Sequence, residues 1–244
     1  MRLVFLLALL FIVTAWFFMA VNGTSSRAVA DPNAPIYERY KGNTVEKPDW
    51  PKEADEMVLV KPGNGVRPYY IDKYEAVISR RQAWSLPGQT PTTKLTGQDA
   101  RDACLVAGKR LCTTNEWRIA CRDGGTRPVS FKKTGVMLQN CDFGRSKGYD
   151  KTDHPNMTNS HPKCTGPKLG LHHMYGNVVE MTAGPRGKTV IVGMSYLGTH
   201  YYGQAFSGNP HRAMRMACEY TVMDNYPAGR YNEGMGFRCC KDAN

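Results

Sequence analysis

The chain lacks the signatures of the commonest catalytic folds. There is no phosphate-binding loop, no Gly-x-Ser-x-Gly nucleophile elbow and no Gly-x-Gly-x-x-Gly dinucleotide fingerprint. None of the eight cysteines is spaced Cys-x-x-Cys, the pairing that zinc and dithiol redox sites use. The six histidines include no His-x-x-x-His or His-x-Glu arrangement. Acidic residues are scarce: 21 Asp and Glu stand against 32 Lys and Arg, a net charge of +11. The basic residues are scattered rather than gathered in a block, and no nucleic-acid motif accompanies them, which argues against a nucleic-acid partner. Solvated charge, or a diffuse attraction to anionic membrane or wall surfaces, accounts for them. No repeat period or low-complexity tract is present.

What is present begins with an export signal. Met1-Arg2 precedes an uncharged apolar run over residues 3–21, longer than the roughly 7–15 residues of a usual signal-peptide core and close to the ~20 that span a bilayer. Ala28-Val29-Ala30 ahead of Asp31 fits the small-residue cleavage rule. Residues 1–30 therefore read either as a cleaved signal peptide or as a membrane anchor. Both place the remainder outside the cytoplasm, whether periplasmic, secreted or membrane-anchored. Such a compartment favours disulfides for eight cysteines over metal ligation.

Residues 31–55 carry Pro32, Pro35, Pro48 and Pro51 among charges and read as a linker or extended arm. From Glu56 the pattern changes. Strands are expected at 57–60, 69–77, 178–182, 188–194 and 237–240. Thr96 with Asp99 forms a capping box for a helix over about 97–107, which Gly108 ends in a left-handed cap. Thr113 with Glu116 repeats the device for a helix through about Arg122, closed by Gly124-Gly125. The domain is expected over residues 56–244.

Four segments resemble those of the formylglycine-generating enzyme family, also called sulfatase-modifying factors: Tyr70-Ile-Asp-Lys-Tyr-Glu75, Gly108-Lys-Arg-Leu-Cys-Thr-Thr-Asn-Glu-Trp117, Gly176-Asn-Val-Val-Glu-Met-Thr182 and Gly236-Phe-Arg-Cys-Cys240. Each is weak alone, but their shared order is specific. The resemblance implies an α+β domain related to C-type lectins, with few helices, short twisted sheets and long disulfide-tied loops. It also implies the pairs Cys104–Cys239 and Cys121–Cys218. For the other four cysteines, neighbours in a strand point to opposite faces, so Cys240 cannot share the surroundings of Cys239. Cys112 is then a natural partner for Cys240, and Cys141–Cys164 would close the intervening loop.

The family's enzymes oxidise a substrate cysteine with copper and O₂, using two cysteines five positions apart. Those positions map to Gly208 and Ala213, which cannot ligate a soft Cu(I) ion, so no copper is expected. The family's Gly-Gly-Ser-Trp is altered to Gly193-Met-Ser-Tyr196 and the Trp of its Gly-Asn-x-Trp-Glu to Val179. Iron-dependent relatives need His and carboxylate ligands, and His172-His173 is the one histidine cluster. Calcium is the cofactor the resemblance offers: the family's loop maps to His173, Gly176, Val178 and Glu180, although His in place of Asn weakens a site that wants hard oxygen ligands. The plain alternative is a turn at Gly176-Asn177 with Glu180 as a salt-bridge partner. Tyr196, His200, Tyr201 and Tyr202 could line a binding surface, against the alternative of core packing or simple exposure.

Two function classes follow. One is a non-catalytic exported module of the cell envelope, docking to a protein assembly or a glycan, with membrane association through residues 3–21. The other is a divergent metal-dependent oxidoreductase on the same scaffold, with residual formylglycine chemistry as a third, weaker reading. The missing cysteine pair favours the first.

Overall fold

The two helices form where their caps dictate. In the computed structural model, which describes residues 50, 52–63, 65–124, 141, 155–196, 218, 219, 221–223 and 234–243, Thr96 accepts from the Asp99 amide while the Asp99 carboxylate accepts from that of Thr96. Thr113 and Glu116 close the second box in the same way. Each box satisfies two amides that a helix start leaves unpaired. These residues lie in one compact unit, Pro35–Asn244. The signal or anchor over residues 1–30 and most of the 31–55 arm lie outside the described residues.

Following the chain, β1 is Met57–Val60, β2 Tyr69–Asp72, β3 Val77–Ser79, β4 Gln82–Trp84, α1 Gly97–Val106, β5 Arg110–Leu111, α2 Thr114–Cys121, β6 Val179–Ala183, β7 Thr189–Val192, β8 Thr221–Met223, β9 Met235–Phe237 and β10 Cys239–Asp242. One sheet orders β1-β2-β10-β5, another β8-β7-β6-β9, and β3-β4 is a hairpin. The β6–β9 pairing is parallel and the other pairings are antiparallel. The sheets meet where the Ala183 amide donates to the Cys112 carbonyl at 2.8 Å. Between them Trp117, Val179, Met181, Ile191 and Phe237 are buried. The fold is α+β and C-type-lectin-like, with two α-helices among the described residues.

The expected single strand over 69–77 is two strands. Residues 73–76 leave the sheet because their polar groups find partners elsewhere: the Lys73 amide donates to Glu56 O and the Ala76 amide to Phe237 O, and the Tyr74 amide donates to Ser85 Oγ. Glu75 is thereby turned inward and fully buried. The strand expected at 188–194 is confined to β7. A 3₁₀ turn at Lys52–Ala54 leads into Asp55, whose carboxylate accepts from the Ser85 amide at 2.7 Å and from Lys109 Nζ at 2.8 Å.

All eight cysteines are in disulfides: Cys104–Cys239, Cys112–Cys240, Cys121–Cys218 and Cys141–Cys164. Cys239 and Cys240 are consecutive in β10, so one reaches α1 from one face while the other takes Cys112 on the opposite face. The last strand is clamped from both sides. Such bonds form and persist in an oxidising compartment. No helix among the described residues is long and apolar enough to cross a membrane, and residues 3–21 lie outside them.

The Cys121–Cys218 bond spans a sequence separation of 97 residues and anchors the end of α2. Cys121→Ala should leave Cys218 as a lone thiol and cost about 2–5 kcal/mol of stability. Denaturant unfolding measures this, with a non-reducing peptide map as the check on pairing.

Candidate functional site

The family-like segments meet at a buried polar centre through Glu75, Trp117, Glu180 and Arg238. Arg238, between β9 and β10, is 1% exposed and sits among apolar strands. A guanidinium there must be neutralised and its donors satisfied. Its Nε donates to Glu180 Oε1 at 2.8 Å. Nη1 donates to the carbonyls of Lys73 at 2.9 Å and Asp72 at 3.3 Å, and Nη2 to the carbonyl of His172. The other Glu180 oxygen accepts from Trp117 Nε1 at 2.7 Å. Burial pushes the Glu180 carboxyl up, while Arg238 and Trp117 oppose that shift.

A second buried carboxylate lies beside it. Glu75 Oε2 accepts from Asn177 Nδ2 at 2.8 Å and contacts His173 Nδ1 at 3.2 Å, while Oε1 accepts from the Val178 amide at 3.3 Å. Asn177 also exchanges hydrogen bonds with the backbone of Asn156. His173 and Asn177 have φ of 55° and 66°, a left-handed conformation that Asn and His tolerate better than most residues. They bracket the tight turn that carries Gly176. His173 Nε2 is buried and has no hydrogen-bond partner among the described residues, and the His161 ring lies edge-on 5.8 Å from the His173 ring.

A third buried pair holds β2 to the α1–β5 connection. Lys109 Nζ lies 2.7 Å from Asp72 Oδ1 and also 2.7 Å from Asp55. The second Asp72 oxygen accepts from the Cys239 amide at 2.8 Å. Burial drives the Asp72 carboxyl up to about 6, with Lys109 pulling against it.

These contacts decide how the expected site residues are used. His173, Gly176, Val178 and Glu180 are brought together and all are buried. Glu180 is the one carboxylate of the set, and both its oxygens are held by protein donors, one of them a cation. His173 offers nitrogen where calcium wants oxygen. In this arrangement the four residues do not fit a calcium ion, and Glu180 is instead the salt-bridge partner of Arg238. Among the described residues no group of three or more His, Cys, Asp or Glu is placed to hold a metal. Tyr196 is 8% exposed and belongs to the core rather than to an open surface. Its amide donates to the Asn177 carbonyl at 2.7 Å. His200, Tyr201 and Tyr202 lie outside the described residues, as do Gly208 and Ala213.

The central role of Arg238 is absent from the sequence reading, although a signal for it exists. Glu180 in Val178-Val-Glu-Met and Arg238 in Gly236-Phe-Arg-Cys are charges of opposite sign set within apolar strands, and such charges are rarely buried unless paired. Gly236 shows how tightly the two strands approach: a Cβ there would meet Val178 Cγ2 at 2.7 Å.

Arg238→Met would leave Glu180 as a buried, unpaired charge. It should cost about 3–5 kcal/mol in denaturant unfolding, and Arg238→Met with Glu180→Gln should recover much of that loss. His172 provides a pH test. Burial first, then the positive charges of His173, Arg238 and Lys73, lower its pKa to about 4 from the usual 6.5. The folded protein thus takes up this proton at lower pH than the unfolded chain. The stability tied to it is present above about pH 6.5 and is lost as pH falls toward 4. Asp72 acts in the opposite sense across an overlapping range, so the measurement is comparative: His172→Gln should lose less Tm than the wild type between pH 7 and pH 4.5.

Comparison with solved structures finds Treponema denticola variable protein 1 at 14% identity and a TM-score of 0.48, covering 76% of this chain and 91% of that one. CarF follows at 16% identity and 0.45, covering 78% and 98%. PvdO from Pseudomonas aeruginosa is found at 14% and 0.38, covering 77% and 91%. Residues 75–243, which carry Glu75, Glu180, Arg238 and all eight cysteines, match the Sulfatase-modifying factor enzyme 1-like domain. The chain belongs to that family.

Proposed function

We propose that this protein is a non-catalytic, exported binding module of the cell envelope that uses the sulfatase-modifying factor scaffold to dock to a protein assembly or a glycan. The observation that carries this reading is the use of its cysteines. Copper-dependent cysteine oxidation needs thiolate ligands. Every cysteine of this chain is spent in a disulfide, and Gly208 and Ala213 stand where the family's enzymes carry their ligand pair. The polar groups at the motif centre are likewise committed. Glu180, Arg238, Trp117 and Glu75 satisfy one another or the backbone, which suits a rigid framework.

Four disulfides and a buried ion pair give the framework rigidity without a partner, and preformed surfaces bind with little ordering cost. Export to an oxidising compartment agrees with the disulfides, and the apolar run over residues 3–21 would keep the module at the membrane.

The test has two arms. Purified protein is expected to bind no stoichiometric Cu(I) and to consume no O₂ with thiol substrates. Tight Cu(I) binding with thiol-dependent O₂ uptake would replace this reading with the oxidoreductase one. Crosslinking in native envelopes, followed by mass spectrometry, should recover a reproducible protein or glycan partner. Recovery as a lone species across crosslinker lengths would remove the binding reading.

A further inference from the structure

Among the described residues one Tyr, Trp or Phe side chain is exposed, that of Tyr70 at 38%. It stands in β2, the second strand of the β1-β2-β10-β5 sheet. The register places Leu59 of β1 opposite it on one side and Lys241 of β10 opposite it on the other. Opposed residues in antiparallel strands share a face, with Cβ atoms about 4.5–5.5 Å apart. Leu59, Tyr70 and Lys241 therefore form one row across three strands, half-buried at Leu59 and open at Tyr70 and Lys241. Lys61 and Pro68, both exposed, lie immediately past the end of β1 and before the start of β2.

This row is positive and uncompensated. The side chains of Lys61, Tyr70 and Lys241 make no hydrogen bond or ion pair among the described residues. The carboxylate next to Lys241 in sequence, Asp242, alternates to the opposite face, where it accepts from Arg110 Nε at 3.0 Å. Asp72, two residues along β2 from Tyr70, is buried and held by Lys109. The row is also fixed in place. Disulfides from Cys239 and Cys240 hold β10, and the Asp72–Lys109 pair holds β2. A surface fixed in this way binds with little ordering cost.

We propose that this row is a docking site for an acidic polysaccharide, with a saccharide ring stacked on Tyr70 and carboxylate groups paired with Lys241 and Lys61. The C–H face of a sugar ring is apolar and covers an aromatic ring presented at a sheet surface, while the phenol hydroxyl stays free for the hydroxyls of the sugar. Ammonium groups without counter-charges beside that ring select an anionic sugar over a neutral one. The inference rests on the binding-module reading and narrows its partner to one class of glycan.

The experiment titrates the full chain, in a neutral detergent at low salt, with polygalacturonate and follows binding by calorimetry. Wild type should bind polygalacturonate and give no heat with neutral dextran. Tyr70→Ala should weaken binding at least about tenfold, whereas Tyr70→Phe, which keeps the ring, should bind as wild type does. Lys241→Gln should weaken it about threefold or more. Lys163→Gln with Lys168→Gln, exposed lysines outside the row, should change it by less than about twofold. All these positions are exposed, so each variant should melt within about 2 °C of wild type, which separates lost binding from lost folding. Equal affinity of Tyr70→Ala and wild type would overturn the proposal and assign the binding to diffuse charge. Equally tight binding of poly-glutamate, lost in Tyr70→Ala, would assign the row to an acidic peptide and overturn it as well. If wild type binds no polygalacturonate while envelope crosslinking recovers a protein partner, the glycan proposal fails and the binding-module reading stands.

Discussion

The Arg238–Glu180 ion pair is the constraint on which the remaining geometry depends. A guanidinium buried between two sheets is tolerable only when every face of it is answered, and the answers come from four separate stretches of chain. Glu180 supplies the counter-charge from β6, the carbonyls of Asp72 and Lys73 come from the end of β2, and that of His172 from the long loop before β6. Trp117 fixes the carboxylate from α2. Hydrophobic burial drives collapse without direction, whereas this centre specifies which strands lie side by side.

Much of the scaffold was legible because its determinants are local. Thr96 with Asp99 and Thr113 with Glu116 carry both partners of each cap within four residues, and the helices begin where those pairs place them. The disulfides were legible from the family's pattern and from the alternation of side chains along a strand. The broken strand after Asp72 was not. Glu75 leaves the sheet for His173 and Asn177, about a hundred residues downstream, and no local pattern announces partners that distant. The partner of Glu180 was hidden for the same reason. Glu180 in its loop looks like a ligand until Arg238, 58 residues on, is seen to occupy it. Tyr196 looked like surface chemistry because tyrosine suits recognition, yet tertiary packing places it in the core.

Membership of the family fixes the scaffold and does not by itself carry the family's chemistry. The motifs persist because they build the ion-pair centre, the capped helices and the clamped last strand, all of which a binding module needs as much as an enzyme does. The resemblance puts the enzymes' cysteine pair at Gly208 and Ala213, positions that belong to none of these elements. The same fold can host different functions, because function resides in the site it carries.

The clamping of β10 ties maturation to synthesis. Its two cysteines bond to partners 135 and 128 residues earlier, and the strand lies between β2 and β5, both made long before it. A nascent chain crossing into the oxidising compartment holds Cys104 and Cys112 as waiting thiols until nearly all of the domain has emerged. During that interval they can pair with each other or with Cys121 and Cys141, which arrive sooner. Any such early pair must be exchanged before β10 can dock with its native partners.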